Sequence, residues 1–324
     1  MLEFRRRLVH ERFMKTTEFW HQASDGKALF VRKVLPQGAL RGIIHIAHGL
    51  GEHSQRYLRV AEKFAAEGFI VFADDHRGHG KTAVTPDELG FFGKGGIHRV
   101  VDDLAELMRF EKNEHPTLPF VLFGHSMGSY LSQELMLRHA SELTGVVLSA
   151  SAGKPSALAS AGRYVARIER LRLGTLGKSS VLRGLSFDAF NKPFAKLGPT
   201  KFEWLSRDRA EVDKYVADPL CGFDATTSLW VELLDLLAEI SRTDRQAALP
   251  KALPVRIISG SEDPANERAK GARQLATALQ AAGLTKVELT VYEGARHELL
   301  NETNRDDVTR DLIGWLNALI PVKG

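Results

Sequence analysis

The 324-residue chain predicts an α/β fold: a mostly parallel central sheet flanked by helices, with an inserted helical cap. Three observations carry this. Short, near-continuous apolar runs recur along the chain, as strands buried on both faces require. Helix-like stretches separate most of them, and that alternation implies a parallel sheet covered on both sides. The alternation breaks once, between residues 151 and 250, then resumes near Pro254.

Residues 17–22 and 27–34 flank an Asp25-Gly26 turn and read as a hairpin. Buried strands follow at 43–47, 69–73, 120–123, 145–148, 255–259 and 287–292. Helices are expected at 57–67, 100–113, 129–139 and 267–282, with an amphipathic stretch at 305–319 closing the chain. Residues 16–150 and 251–324 are thus expected to form the core, 151–250 the cap, and 1–15 an N-terminal extension. The cap leaves after the strand at 145–148 and should roof the end of the neighbouring strand at 120–123.

Composition excludes several classes. The formal charge of +4 is mild, and no aromatic-basic module or finger spacing accompanies it, so no nucleic-acid partner is expected. No uninterrupted apolar stretch is long enough to span a bilayer. The N-terminal charges have no apolar run behind them, which argues against a secretory signal. One cysteine, Cys221, rules out an internal disulfide and fits a reducing, cytoplasmic compartment. Cys221 itself reads as a small buried hydrophobe.

Gly124-His-Ser-Met-Gly128 follows directly on the apolar run 120–123 and precedes a helix-like run. A bare G-x-S-x-G arises by accident roughly 0.1 times per chain, so the strand before it and the helix after it give it weight. A serine between small residues at such a turn is a nucleophile elbow: the tight turn lifts Ser126 Oγ clear of the sheet edge. Its hydroxyl then needs a histidine to take its proton and a carboxylate to hold that histidine.

In chain order the acid and then the histidine follow the serine. His297 is the only histidine beyond His139 and sits just past the last strand; the competing reading is a surface-loop histidine. The acid should follow a strand end, and the run 255–264 supplies Asp263 after a glycine turn. Asp263 could instead make only an Asx turn before Pro264. Glu262 competes beside it, but the shorter Asp263 side chain better fixes an imidazole tautomer. Asp235 and Asp244, within the cap, are weaker candidates. The oxyanion needs two donors: Met127 N–H at the helix start, and Leu50 N–H in the loop His48-Gly-Leu-Gly-Glu-His53, where Gly49 and Gly51 let the backbone come close.

These segments, with Arg56-Tyr57 and Asp75-His-Arg-Gly-His-Gly80, resemble the monoacylglycerol lipase and bacterial lysophospholipase group of α/β hydrolases. The resemblance runs from about Glu18 to Leu319. It implies the α/β-hydrolase fold, a triad of Ser126, Asp263 and His297, and oxyanion donors Leu50 and Met127, with His48, Gly49, Gly51 and His125 supporting the loops. The cap matches only through Asp218-Pro-Leu220. Ala265 stands where a hydrophobic residue is usual, and Lys81-Thr82 departs from the group's pattern.

The function this implies is ester hydrolysis on a single-chain acyl lipid, a monoacylglycerol or a lysophospholipid, through an acyl-enzyme. The alternatives are an amidase or aminopeptidase resembling proline iminopeptidase, and a non-catalytic ligand-binding receptor on the same scaffold. No cofactor is expected, since no G-x-G-x-x-G or Walker loop occurs. No metal is expected either: His45, His48, His53, His76 and His79 show no metal-ligand pattern and fall within or beside the glycine-rich loops. In the cap, Leu158, Ala161, Val165, Ile168 and Arg172 recur at helical spacing, flanked by Tyr164 and Leu171, with Arg163, Arg167 and Arg170 opposite. The favoured reading packs the apolar face on the core and leaves the arginines solvated. The alternative lays the cap on an anionic membrane surface as a peripheral contact.

Overall fold

Eight strands form one sheet: β1 (Lys15–Gln22), β2 (Ala28–Leu35), β3 (Gly42–Ala47), β4 (Phe69–Asp74), β5 (Phe120–His125), β6 (Gly145–Ser149), β7 (Val255–Gly260) and β8 (Val287–Tyr292). The computed structural model describes residues 15–321, without the side chains of Ala157 and Leu158. Apart from Lys15, the expected N-terminal extension therefore lies outside the described residues.

The strand order is β1-β2-β4-β3-β5-β6-β7-β8. Only β2 runs against its neighbours, pairing antiparallel with β1 and β4; all pairings from β4 to β8 are parallel. The β1–β2 hairpin closes through Gly26 at φ +91°, a conformation that favours glycine. Every residue of β3, β4, β5 and β6 is buried, which is why these strands read as unbroken apolar runs.

The helices are α1 (Leu58–Ala66), α2 (Gly96–Glu114), α3 (Met127–His139), α4 (Ala157–Leu173), α5 (Ser180–Leu185) and α6 (Phe187–Asn191). They continue as α7 (Arg209–Ala217), α8 (Thr227–Ile240), α9 (Thr243–Ala247), α10 (Lys270–Ala281) and α11 (Arg305–Leu319). α1 and α11 cover one face of the sheet through Phe64, Leu312 and Trp315. α2, α3 and α10 cover the other through Leu104, Leu135 and Leu275.

Residues 151–250 carry α4 to α9. This segment is continuous with the core, because Leu229, Leu233 and Leu236 of α8 join the buried cluster of α2 and α3. α4 lies on α8; Val165 faces inward and Arg170 is exposed, as the sequence pattern expects, but the rest of the pattern does not hold. Arg163 and Arg167 turn inward and bond Asp235 of α8 at 2.9 and 2.8 Å. Tyr164, Ile168 and Leu171 are 71, 62 and 87% exposed. The reason is non-local: the carboxylate that orients α4 lies 68 residues beyond Arg167.

Candidate active site

Ser126 links the end of β5 to the first turn of α3, with φ 51° and ψ −120°. For a residue with a Cβ this is strained backbone. The turn is closed on both sides. A Cβ on Gly124 would overlap Ser132 Oγ and the Gly128 carbonyl, and one on Gly128 would overlap the carbonyls of Ala47 and His48. Ser126 N–H donates to the Ser149 carbonyl of β6 at 2.9 Å, tying the elbow to the neighbouring strand.

The turn after β7 carries Asp263 and the loop after β8 carries His297. His297 Nδ1 donates to Asp263 Oδ1 at 2.9 Å and lies 3.0 Å from Oδ2. Asp263 is fully buried and also accepts the Ala265 N–H at 3.0 Å. Glu262 points elsewhere, half-exposed and 3.6 Å from Arg268. Asp235 is held by the α4 arginines and Asp244 by Arg242. The His297 ring lies between Trp204 and His125, at centroid distances of 4.7 and 4.9 Å. Burial alone would lower the His297 pKa, but the charge and hydrogen bond of Asp263 outweigh it and raise the value. His125 goes the other way: burial, then the charge of His297, push it down to about 4.

The loop after β3 is pinned at nearly every residue. His48 Nδ1 bonds the Gly49 carbonyl at 2.8 Å, and Gly49 N–H donates to Glu52 Oε1 at 2.7 Å. Tyr57 O–H donates to that same oxygen at 2.7 Å, and Arg56 donates to Glu52 Oε2 at 2.7 Å. Gly51, at φ +73°, offers its carbonyl to Tyr215 O–H at 2.8 Å and to Gly222 N–H at 2.9 Å. Among the described residues, the N–H groups of Leu50 and Met127 donate to no protein acceptor. Both residues line one cavity together with Ser126 and His297.

That cavity has a volume of about 420 Å³. Most of its apolar lining comes from the 151–250 segment, including Val165, Leu182, Leu185, Trp230, Leu233 and Leu237.

A family model described as serine aminopeptidase, S33, matches residues 38–304. The monoglyceride lipase of Homo sapiens is 30% identical over 301 residues, covering 92% of this chain and 88% of that one. The monoacylglycerol lipase of Mycolicibacterium smegmatis is 30% identical over 276 residues, covering 85% and 88%. A carboxyl esterase from Bacillus coagulans, solved with glycerol, superposes with a TM-score of 0.87 at 28% identity, over 95% of this chain and 100% of that one. The chain belongs to the S33 family of α/β hydrolases, as a monoacylglycerol lipase-like member. Its place among these relatives makes it an ester hydrolase.

Of the further residues in this hydrolase's site, Arg56 entered the sequence reading only within the resemblance, and Trp204 and Tyr215 carried no sequence signal. Arg56 donates to both oxygens of Glu298, which follows His297 directly, as well as to Glu52, and stacks 4.8 Å over the Tyr215 ring. Trp204 and Tyr215 reach the site from the 151–250 segment, and only the fold brings them there. Two groups among the described residues bring three metal-ligand atoms close together: His53, Asp218 and Cys221, and Glu111, Glu114 and His115. In the first, His53 already bonds Asp218 at 2.9 Å and burial pushes the Cys221 thiol up, away from the thiolate a metal needs. In the second, Lys33 already occupies Glu111 at 2.6 Å.

Proposed function

We propose that the hydrolase cleaves single-chain acyl lipids, a monoacylglycerol or a lysophospholipid, through a serine acyl-enzyme. The observation that carries this is His297, bonded to Asp263 and lining the same largely apolar cavity as Ser126 and the free N–H donors of Leu50 and Met127. Ser126 Oγ adds to the ester carbonyl carbon while its proton passes to His297 Nε2. The two N–H groups hold the oxyanion. The carbon–oxygen bond to the alcohol then breaks, and the alcohol leaves with the proton from His297. Water, deprotonated by His297, attacks the acyl-enzyme and releases the fatty acid.

An aminopeptidase would need free carboxylates to hold a substrate ammonium. Glu52, Glu267 and Glu298 do line the cavity, but each already has a partner: Arg56 bonds Glu52 and Glu298, and Lys270 bonds Glu267 at 2.9 Å. This favours an uncharged ester over a charged amino terminus. The test is Ser126→Ala, assayed on monoacylglycerols, lysophospholipids and aminoacyl anilides. The variant should lose on the order of 10⁶-fold in kcat and all labelling by a fluorophosphonate. Labelling that persists would overturn the serine assignment, and wild-type preference for the anilides would overturn the ester reading.

The same reading extends to where the lipid is met. No helix among the described residues is long and apolar enough to cross a membrane. α4 instead presents Tyr164, Ile168 and Leu171 outward while Gly162 and Val165 line the cavity. A helix apolar on both sides at the cavity wall suits peripheral contact by apolar insertion. Asp235 offsets only one of Arg163 and Arg167, and Arg170 is exposed, so α4 keeps positive charge and anionic vesicles should bind more tightly than neutral ones. Replacing Tyr164, Ile168 and Leu171 together by Ser should abolish co-sedimentation with both, and unchanged partitioning would refute the contact.

A further inference from the structure

A set of buried imidazoles lies behind the oxyanion loop, outside the triad. His45, His48, His76 and His79 are each fully buried. A solvent-shielded histidine needs a partner for each ring nitrogen or a reason to lack one. In His48 both nitrogens are engaged. Nε2 faces the backbone N–H of His76 at 3.0 Å, and Nδ1 faces the Gly49 carbonyl at 2.8 Å.

These partners decide the tautomer. A backbone N–H can only donate, so Nε2 must carry the lone pair and Nδ1 the proton. His48 is therefore a neutral Nδ1–H imidazole, and that proton goes to Gly49 O. Burial also pushes the His48 pKa well down, so the ring stays neutral.

The Gly49 carbonyl shares a peptide plane with Leu50 N–H. In a trans peptide the two point in opposite directions. Whatever grips the carbonyl from behind therefore aims the N–H forward, toward the cavity that Leu50 lines with Ser126. The preceding peptide is fixed as well, by Gly49 N–H on Glu52.

The anchor behind His48 is itself braced. His76 stacks on the His48 ring at 3.9 Å and 23°, and its Nδ1 donates to Asp74 Oδ2 at 2.7 Å. The other Asp74 oxygen accepts from His45 Nε2 at 2.8 Å. Asp74 ends β4 and His45 lies in β3, so the chain of contacts runs from the sheet to the donor.

We propose that His48 is a positioning residue for the oxyanion hole, fixing the Gly49–Leu50 peptide through a tautomer that His76 N–H imposes. The inference rests on the serine acyl-transfer reading, because an aimed N–H matters only if an oxyanion forms.

Two measurements test it. The first is the ring-nitrogen NMR spectrum of the ¹⁵N-histidine-labelled protein. It should show His48 as the Nδ1–H tautomer, without titration from pH 5 to 9; an Nε2–H or titrating ring would overturn the proposal. The second is His48→Ala assayed on a monoacylglycerol. A misaimed donor should lower kcat by about 10²-fold with KM unchanged. Affinity for an alkyl boronic acid, which forms a tetrahedral adduct on serine, should fall in parallel. Binding of a non-cleavable ether analogue of the substrate should not change. His48→Asn, whose Nδ2 sits near the place of Nδ1, should recover much of the loss. A kcat within threefold of wild type in His48→Ala, or ether binding that falls with kcat, would refute it. Failure of the serine reading shows separately, as turnover surviving in Ser126→Ala, while the NMR tautomer still reports on His48.

Discussion

The two walls of the cavity are built on different terms. The wall supplied by β3, β5 and the loops after β7 and β8 is polar and fixed bond by bond, down to glycines that leave no room for a methyl group. The wall supplied by residues 151–250 is apolar, made of Val165, Leu182, Trp230 and their neighbours, and its glycine, Gly162, would take a methyl group at ordinary contact distance. A developing oxyanion requires donors placed to within a fraction of an ångström. A hydrocarbon chain requires only a surface that excludes water. The same substitution should therefore have unlike consequences on the two sides.

The largest contrast falls on the acid. Asp263→Asn should lower kcat about 10⁴-fold, since an amide donating to Nδ1 would place the proton on the wrong imidazole nitrogen. Glu262→Gln, one residue away and half-exposed, should change kcat less than twofold. The pH profile gives a second reading of the same pair. His297 must be neutral to act as base, and Asp263 raises its pKa against the opposing effect of burial. The acid limb of kcat/KM should therefore lie above the ordinary histidine value of about 6.5, with activity lost as pH falls through it. A limb below that value, or greater damage from the Glu262 change, would move the carboxylate role away from Asp263.

Smaller effects separate the two glycines. Gly128→Ala drives a methyl group into the carbonyls of Ala47 and His48, backbone atoms that cannot swing aside. It should cost about 3 kcal/mol, read as a lower urea midpoint, and should depress kcat as well. Gly162→Ala, within α4, meets only Leu234 Cδ1 at 3.8 Å. It should stabilise by up to about 1 kcal/mol through helix propensity and weaken binding of only the longest acyl chains. If both glycines respond alike, the contrast between the walls is wrong.

The same division explains what was legible beforehand. Strands buried on both faces announce themselves as apolar runs, and the elbow, the acid and the histidine each follow a strand end within a few residues. Such local signals located Ser126, Asp263 and His297, which the fold brings to one place. The position of β4 between β2 and β3 has no local signal. Nor does the rotation of α4, which depends on Asp235, or the arrival of Trp204 beside His297. The helix at 267–282 begins late, at Lys270, because Glu267, Arg268 and Ala269 all adopt positive φ. Nothing in their residue types demands that conformation. What sequence reading missed depends on contacts between distant segments, and these concentrate in residues 151–250.

The arginine clamped by two glutamates has a bearing on how a catalytic cycle would end. Among the described residues no Lys or Arg lines the cavity, whereas Glu52, Glu267 and Glu298 do. Arg56, the cation nearest at hand, is already shared between two carboxylates. A neutral ester entering this space meets no net repulsion. Hydrolysis replaces it with a fatty-acid anion, which finds no unpaired positive charge to hold it and a surplus of carboxylate over Arg56 to oppose it. Under the proposed chemistry, the reaction itself turns a tolerated guest into a repelled one, so product inhibition by the free acid should be weak and should weaken further as pH rises.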